Sequence, residues 1–273
     1  MSARGRRRLM LVFGGSGFLG RHLDPLAAAA RWDIVAPSSE SVDVRRRSTV
    51  VHAITDWKPH AVVNLAYRKG DRPTTVDGAR HIAEGAEACG ARLVHLSTDV
   101  VFGGRAAPYH EQDRPDPATE YGRQKRDAER AVIESCPGAV VLRTSLLYGT
   151  GHMAPLQHDV RLALATGPEH RSMTFFTDEY RCPAHAADVA AAITELARRP
   201  DVTGPLHVAG PDAVSRADFA RAIASWLGLD PTRLTTSTIG EAGMSRPARV
   251  VLDTTAATAL GITCRPLAEG LAR

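Results

Sequence analysis

The sequence predicts an α/β fold, a doubly wound parallel sheet with a smaller C-terminal lobe, on three observations. Short apolar runs alternate with longer stretches of helical spacing through the first half of the chain. The first apolar run ends in a glycine-rich turn, Gly14-Gly15-Ser16-Gly17-Phe18-Leu19-Gly20. Aromatic residues make up only 5% of the chain while alanine and valine abound, which suits helices packed over buried parallel strands.

Each element follows from its local pattern. Residues 9–13, apolar throughout, form the first strand, and the helical stretch 18–31 follows the turn. Pro25 within that stretch predicts a kink or an early end, because proline lacks the N–H and crowds the preceding turn. Strands are expected at 33–36, 61–66, 92–97 and 139–143, with helices at 48–57, 74–89 and 119–136 between them. Right-handed crossovers then place helices on both faces of the sheet. Past Gly149 the rhythm loosens, with 153–166, 185–199 and 216–227 helical and 172–176 and 206–209 extended. The last helix carries the apolar spacing Phe219, Ile223, Trp226, Leu227.

Gly14, Gly17 and Gly20 stand at G-x-x-G-x-x-G spacing between strand and helix. Glycine there permits the tight turn and lets backbone N–H groups approach a pyrophosphate at the positive end of the helix dipole, which makes the core Rossmann-type. A Walker-type phosphate loop is disfavoured, since Arg21 and His22 follow Gly20 in place of Lys and Ser/Thr. After the second strand, where an acid would grip the ribose 2′-hydroxyl of NAD, the chain reads Pro37-Ser38-Ser39. The expected cofactor is therefore NADP(H) in preference to NAD(H), with Ser38 or Ser39 on the 2′-phosphate. Arg45, Arg46 and Arg47 either neutralise that phosphate or form an exposed helix start, and Glu40 lies close by.

Tyr121 and Lys125 are four residues apart, so on a helix they share a face. A nearby ammonium lowers a tyrosine pKa from about 10 and so makes the phenol an acid able to protonate a developing alkoxide. The chain has only three lysines, Lys58, Lys69 and Lys125, against many arginines, which singles out Lys125. Thr98 ends an apolar strand, at the edge where α/β sites assemble, which makes it either a helix or turn cap or a residue of the site.

Composition narrows the function classes. A net charge of +4, much of it in Arg4, Arg6, Arg7 and Arg8, and no basic stripe with interleaved aromatics argue against nucleic acid. No apolar run approaches a membrane span, and the widely spaced Cys89, Cys136, Cys182 and Cys264 suit reduced thiols in a cytoplasmic enzyme. The eleven histidines form no metal-ligand motif, so no metal is expected. The expected organisation is a dinucleotide-binding core over 1–148 with a basic tail at 1–8, and a mainly substrate-binding lobe over 149–273, of which 172–209 returns to the core.

With the glycine turn, Leu96-Ser97-Thr98-Asp99 and Tyr121-x-x-x-Lys125 in order, the chain resembles the extended short-chain dehydrogenase/reductases, and among them the dTDP-4-dehydrorhamnose reductase group. Further matching strings are Ala61-Val62-Val63-Asn64-Leu65-Ala66, Leu142-Arg143-Thr144-Ser145 and Asp178-Glu179-Tyr180-Arg181-Cys182-Pro183. The resemblance implies reduction of a keto group, the 4-keto group of a nucleotide-activated deoxysugar, with hydride from NAD(P)H. Tyr121 would donate the proton, Lys125 would hold the nicotinamide ribose and tune Tyr121, and Thr98 would bond the substrate carbonyl. The cofactor groove would be lined by Gly14, Gly17, Phe18, Leu19, Gly20, Ser38, Ser39, Asp43, Leu65, Ala66 and Lys125. Asp99, Val100, Arg181 and Arg246 would lie on the substrate side, the two arginines either on a diphosphate or in salt bridges, with Asp188 a helix-start or packing residue.

Two departures fall on that substrate side. The stretch Asn64-Leu65-Ala66-Tyr67-Arg68-Lys69-Gly70 replaces the family's Ala-rich turn, and Val100 stands where a tyrosine often touches the sugar. Dehydration is disfavoured, because Thr98-Asp99-Val100 lacks a second carboxylate. An epimerase on the same fold and a non-catalytic NAD(P)-binding regulatory subunit remain as alternatives, and a homodimer remains open as the assembly.

Overall fold

The computed structural model describes residues 7–166 and 170–272. In chain order the elements are β1 (Arg8–Phe13), α1 (Phe18–Ala29), β2 (Trp32–Val35), α2 (Arg47–Trp57), β3 (Ala61–Asn64), α3 (Gly78–Ala88), β4 (Arg92–Thr98), α4 (Glu120–Ser135), β5 (Val140–Thr144), β6 (Leu147–Tyr148), α5 (Pro155–Leu164), β7 (Thr174–Phe176), β8 (Tyr180–Arg181), β9 (Ala184–His185), α6 (Ala186–Leu196), β10 (Gly204–His207), β11 (Val214–Ser215), α7 (Arg216–Trp226) and β12 (Thr235–Ser237). Short helices at Thr255–Ala259 and Leu267–Gly270, α8 and α9, complete the chain.

The chain forms two compact units. One is built from residues up to Ser97, Glu120–Leu142 and Ala190–Leu206. It carries a six-stranded sheet in the order β10-β5-β4-β3-β1-β2. β1 pairs in parallel with β2 on one side and β3 on the other, and β3 pairs in parallel with β4. The winding direction therefore reverses at β1 and β3, and in such sheets ligands bind outside the carboxyl ends of the strands at that reversal. Leu11, Phe13, Val62, Leu93 and Val141 from the strands pack against Val50, Ile54, Ile82, Ala86, Ala128 and Val132 of α2, α3 and α4.

The second unit comprises Thr98–Thr119, Arg143–Val189 and His207–Arg273. Its core gathers Tyr148, Val160, Phe175, Phe219 and Ile223, with a smaller cluster around Phe102, Tyr109, Cys182 and Val250. The return to the first unit covers 190–206, where the sequence suggested 172–209.

Three local differences have clear causes. α1 runs through Pro25 to Ala29, so the proline neither ends it nor marks its limit. The helix expected from residue 74 opens as a π-helical turn, Pro73–Asp77, whose entry is capped by Asp71 accepting from the Thr74 backbone N–H at 3.0 Å. Of the basic tail, residues 1–6 lie outside the described residues, whereas Arg8 belongs to β1 and Arg7 pairs with Asp33 at 2.9 Å. No described helix is long and apolar enough to cross a membrane.

Candidate active site

Two glycines make the turn between β1 and α1 possible. Gly14 adopts φ +79°, and a Cβ there would stand 2.8 Å from the Ala66 nitrogen and the Leu65 carbonyl carbon. The ends of β1 and β3 thus touch at the reversal of the sheet. A Cβ on Gly20 would fall 2.0 Å from the Gly15 carbonyl oxygen, so only glycine lets α1 lie against the turn. Gly17 is the N-cap of α1 with no side chain capping the helix and no acid in its first turn. The resulting cradle of backbone N–H groups fits a dinucleotide pyrophosphate.

The segment after β2 differs from expectation at its charged residues. Ser38 turns the chain locally: its Oγ accepts from the Ser41 N–H at 3.2 Å and its carbonyl accepts from Val42 at 2.9 Å. Asp43, assigned to the cofactor from sequence, is engaged by Arg45 through Nε (2.9 Å) and Nη2 (2.8 Å), and the Arg45 hydrogen bonds hold its carboxyl down at about 2. Arg47 pairs with Glu84, and Arg46 and Arg47 begin α2. The arginine run is thus the exposed helix start, with Arg45 and Arg47 held in ion pairs. Ser39 remains exposed.

Along α4, Tyr121, Lys125 and Glu129 fall on one face at four-residue intervals. Lys125 is 4% exposed and donates through Nζ to the Leu96 carbonyl of β4 at 2.7 Å. Burial pushes its pKa down to about 8, with Glu129 acting in the opposite direction. Glu129 is itself buried and accepts from Ser97 Oγ at 2.5 Å. The adjacent β4 residue His95 lies fully inside, where burial, and then Lys125, keep its pKa well below the ordinary value. Asn64 Nδ2 donates to His95 Nδ1 at 3.1 Å, and Asn64 Oδ1 accepts from the Ala66 N–H at 3.0 Å. That chain of bonds fixes the end of β3 that Gly14 approaches. The half-buried Tyr121 ring packs against the exposed Tyr67 ring, with centroids 5.6 Å apart.

In the second unit Thr98, the last residue of β4, caps a turn: its hydroxyl accepts from the Val100 N–H at 3.4 Å and donates to Asp99 Oδ1 at 3.2 Å. Asp99 points inward, accepts from Ser145 Oγ at 2.5 Å and lies 3.8 Å from Arg181 Nε. Its burial raises its pKa against the opposing charge of Arg181. Arg181 is also buried, and its donors engage the Tyr180 and Pro247 carbonyls at 2.7 and 2.9 Å and Glu179 at 3.3 Å. The structure therefore gives Arg181 the salt-bridge role of the two that the sequence allowed. Arg246 reaches Glu179 at 3.1 Å, lies over the Phe176 ring and stays about one-third exposed. Arg216, at the start of α7, adds a third guanidinium whose pKa burial lowers and Glu179 raises. Among the described residues no side-chain hydrogen bond to it forms, and the three guanidinium groups outnumber the two carboxylates. Val100 is half-buried on the same turn. Asp188 holds the C-terminal segment through Arg265, at 2.6 Å, and the Arg265 N–H.

Sequence reasoning missed His95, Glu129 and Arg216, and reached Asn64, Tyr67 and Ser97 only as members of matching or departing strings, with no role of their own. Glu129 had a signal, since it continues the Tyr121–Lys125 spacing by one more turn. The pairing of Asn64 with His95 had none, because it joins residues thirty-one positions apart.

The sequence matches the RmlD substrate binding domain family over residues 7–273. It is 35% identical to the probable dTDP-4,6-dihydroxy-2-methyloxan-3-one 4-ketoreductase of Streptomyces antibioticus, covering 87% of this chain and 83% of that protein. It is 31% identical to methionine adenosyltransferase 2 subunit beta of Pongo abelii, over 93% and 83%. The structure superposes on dTDP-4-dehydrorhamnose reductase from Bacillus anthracis, solved in complex with NADP, with a TM-score of 0.86, 25% identity and 97% of each chain covered.

Proposed function

The chain belongs to the RmlD substrate binding domain family, the dTDP-4-dehydrorhamnose reductase type of extended short-chain dehydrogenase/reductase, and on that premise we propose how it reduces the keto group of a dTDP-linked deoxysugar with NADPH. The observation that carries the proposal is the α4 face on which Tyr121 and a buried Lys125 stand one turn apart.

The bound cofactor supplies the hydride. Tyr121 Oη gives its proton to the substrate oxygen as negative charge develops there, and the Lys125 ammonium stabilises the phenolate left behind. Lys125 is held for this by the Leu96 carbonyl, which accepts a hydrogen bond from one of its three N–H donors and leaves two for Tyr121 and the nicotinamide ribose. Thr98 orients the carbonyl. Its hydroxyl donates to Asp99 Oδ1 at 3.2 Å, so donating to a carbonyl requires a rotation of that hydroxyl.

The cradle of Gly14, Gly17, Phe18, Leu19 and Gly20, with Leu65 and Ala66, holds the pyrophosphate and nicotinamide side. NADPH is favoured over NADH because Ser38 and the exposed Ser39 follow β2 where NAD selectivity needs an acid. The second unit takes the sugar nucleotide, with Arg246 and Arg216 on its diphosphate, where a planar guanidinium matches paired phosphate oxygens. Tyr67 and Val100 differ from the family pattern and are proposed to face the sugar.

A second reading has its own support: the methionine adenosyltransferase relative is named a subunit beta and aligns over nearly the whole chain, which favours a non-catalytic NADP-binding subunit. One experiment separates the two. NADPH and NADH are titrated into wild type and Tyr121→Phe by fluorescence, and a 4-keto dTDP-sugar is then supplied. Reductase function predicts tighter NADPH binding in both proteins and turnover that falls at least about 100-fold in the variant. Equal turnover in the two proteins, or none in wild type, overturns it, and NADH bound as tightly as NADPH overturns the cofactor preference.

A further inference from the structure

We propose that Glu129 is a positioning residue, the counter-charge that keeps the buried Lys125 ammonium protonated and aimed along the α4 face. The proposal rests on the function of Lys125 given above, but concerns a residue that touches neither substrate nor cofactor.

The geometry is specific. Glu129 stands one turn beyond Lys125, about 6 Å along the helix axis, on the same buried face. Consecutive β4 residues tie this face down: Leu96 through its carbonyl to Lys125 at 2.7 Å, and Ser97 through its hydroxyl to Glu129 at 2.5 Å. Ser97 donates and a Glu129 carboxyl oxygen accepts, which ties that oxygen to β4.

A buried ammonium without a charge partner gives up its proton, because water no longer stabilises it. The other groups around Lys125 do not oppose that loss. Tyr121 on α4 is neutral until it has given its proton, His95 on β4 is kept neutral by burial, and Asn64 on β3 and the Leu96 carbonyl are uncharged. Tyr67, whose ring packs against Tyr121, brings no carboxylate or ammonium. Burial lowers the Lys125 pKa and Glu129 is the group that raises it, the two together leaving it at about 8. The function that follows is electrostatic. Glu129 beside it lets Lys125 keep more of its charge at neutral pH, and without Glu129 Tyr121 loses part of the charge that makes it an acid.

The test needs neither substrate nor turnover. Lys125 is one of three lysines, the others being the exposed Lys58 and Lys69, so NMR of the ε-carbons in protein made with isotope-labelled lysine gives three signals to titrate. In wild type the Lys125 signal is expected to turn over at about 8. In Glu129→Gln, which keeps an acceptor for Ser97, the midpoint falls by at least about one pH unit. In Ser97→Ala, which deletes the hydrogen bond and leaves the charge, it moves far less. An unchanged midpoint in E129Q, or an equal shift in S97A, overturns the proposal. The wild-type titration is decisive even if E129Q fails to fold: a Lys125 midpoint below 6 means that Glu129 supplies no counter-charge. Kinetics separate positioning from mere folding, since the Lys125-dependent limb of the kcat/KM profile shifts acidward in E129Q by the NMR shift. A uniform loss with an unmoved profile counts against the assignment. Were the protein to have no reductase activity, the lysine titration would still stand or fall alone.

Discussion

Gly20→Ala isolates the close approach of α1 to the phosphate turn. The new methyl would sit 2.0 Å from the Gly15 oxygen, 2.5 Å from its carbonyl carbon and 2.6 Å from its Cα, all backbone atoms with no rotamer to relieve them. Ordinary contact needs about 3.4 Å, so helix and turn must part by about 1.4 Å. Gly15 has little room to retreat, because a Cβ built on it would meet the Ala36 methyl at 2.7 Å. Overpacking of this kind costs about 1–3 kcal/mol, and a shift above 1 Å also moves the N–H groups out of hydrogen-bond range of a pyrophosphate. NADPH affinity should therefore fall at least about tenfold, equivalent to about 1.4 kcal/mol, together with a lower melting temperature. Gly17→Ala is the internal control, since its methyl would stand 3.2 Å from the Gly14 oxygen and requires only a few tenths of an ångström of adjustment. Fluorescence titration with NADPH and thermal melts of the two variants measure both effects. If Gly20→Ala binds and melts as wild type, or if Gly17→Ala suffers more, the cradle geometry is refuted.

Two further outcomes follow from the charged groups. Arg181→Ala leaves Asp99 and Glu179 buried without their shared partner and should cost about 3–5 kcal/mol in urea unfolding, whereas Arg246→Ala should melt as wild type while raising the KM for the nucleotide sugar about tenfold; the reverse pattern would exchange their roles. For pH, Lys125 lies at about 8 in the folded protein against an ordinary 10.5, so below pH 8 both states hold the proton and the folded state bears the full burial cost. Between 8 and 10.5 the folded protein releases that proton first and unfolding takes one up, so stability rises with pH. Wild type should gain on the order of 3 kcal/mol relative to Lys125→Met across that window, and a constant difference in urea unfolding between pH 7 and 11 would contradict it.

What the sequence disclosed depended on the range of the interaction. The turn after β1 was legible because Gly14, Gly17 and Gly20 lie within seven residues and each answers a local steric demand. Tyr121 and Lys125 were legible because helical periodicity alone puts them on one face. Where side chains choose partners across the fold, local patterns failed. Arg181 could equally have been a free diphosphate ligand; its burial against Asp99, brought from eighty-two positions earlier, decides otherwise. Asp43 was placed on the cofactor and Arg45 left between a phosphate contact and an exposed helix start, and although only two residues separate them, residue type alone did not reveal that they pair with each other. Pro25 was overweighted, since packing of Leu19, Leu23 and Ala27 holds α1 together through a missing hydrogen bond.

The discontinuous make-up of the sheet-bearing unit bears on how a ribosome delivers it. β5 is complete at Thr144, yet the strand that covers its outer edge begins only at Gly204. At about 5–20 residues per second, several seconds of synthesis separate the two. Throughout that interval one margin of the nascent sheet offers unpaired amides and carbonyls to any passing chain. Val140, Val141 and Leu142 line that margin, so the newborn protein is most prone to mispairing just before its last edge strand emerges.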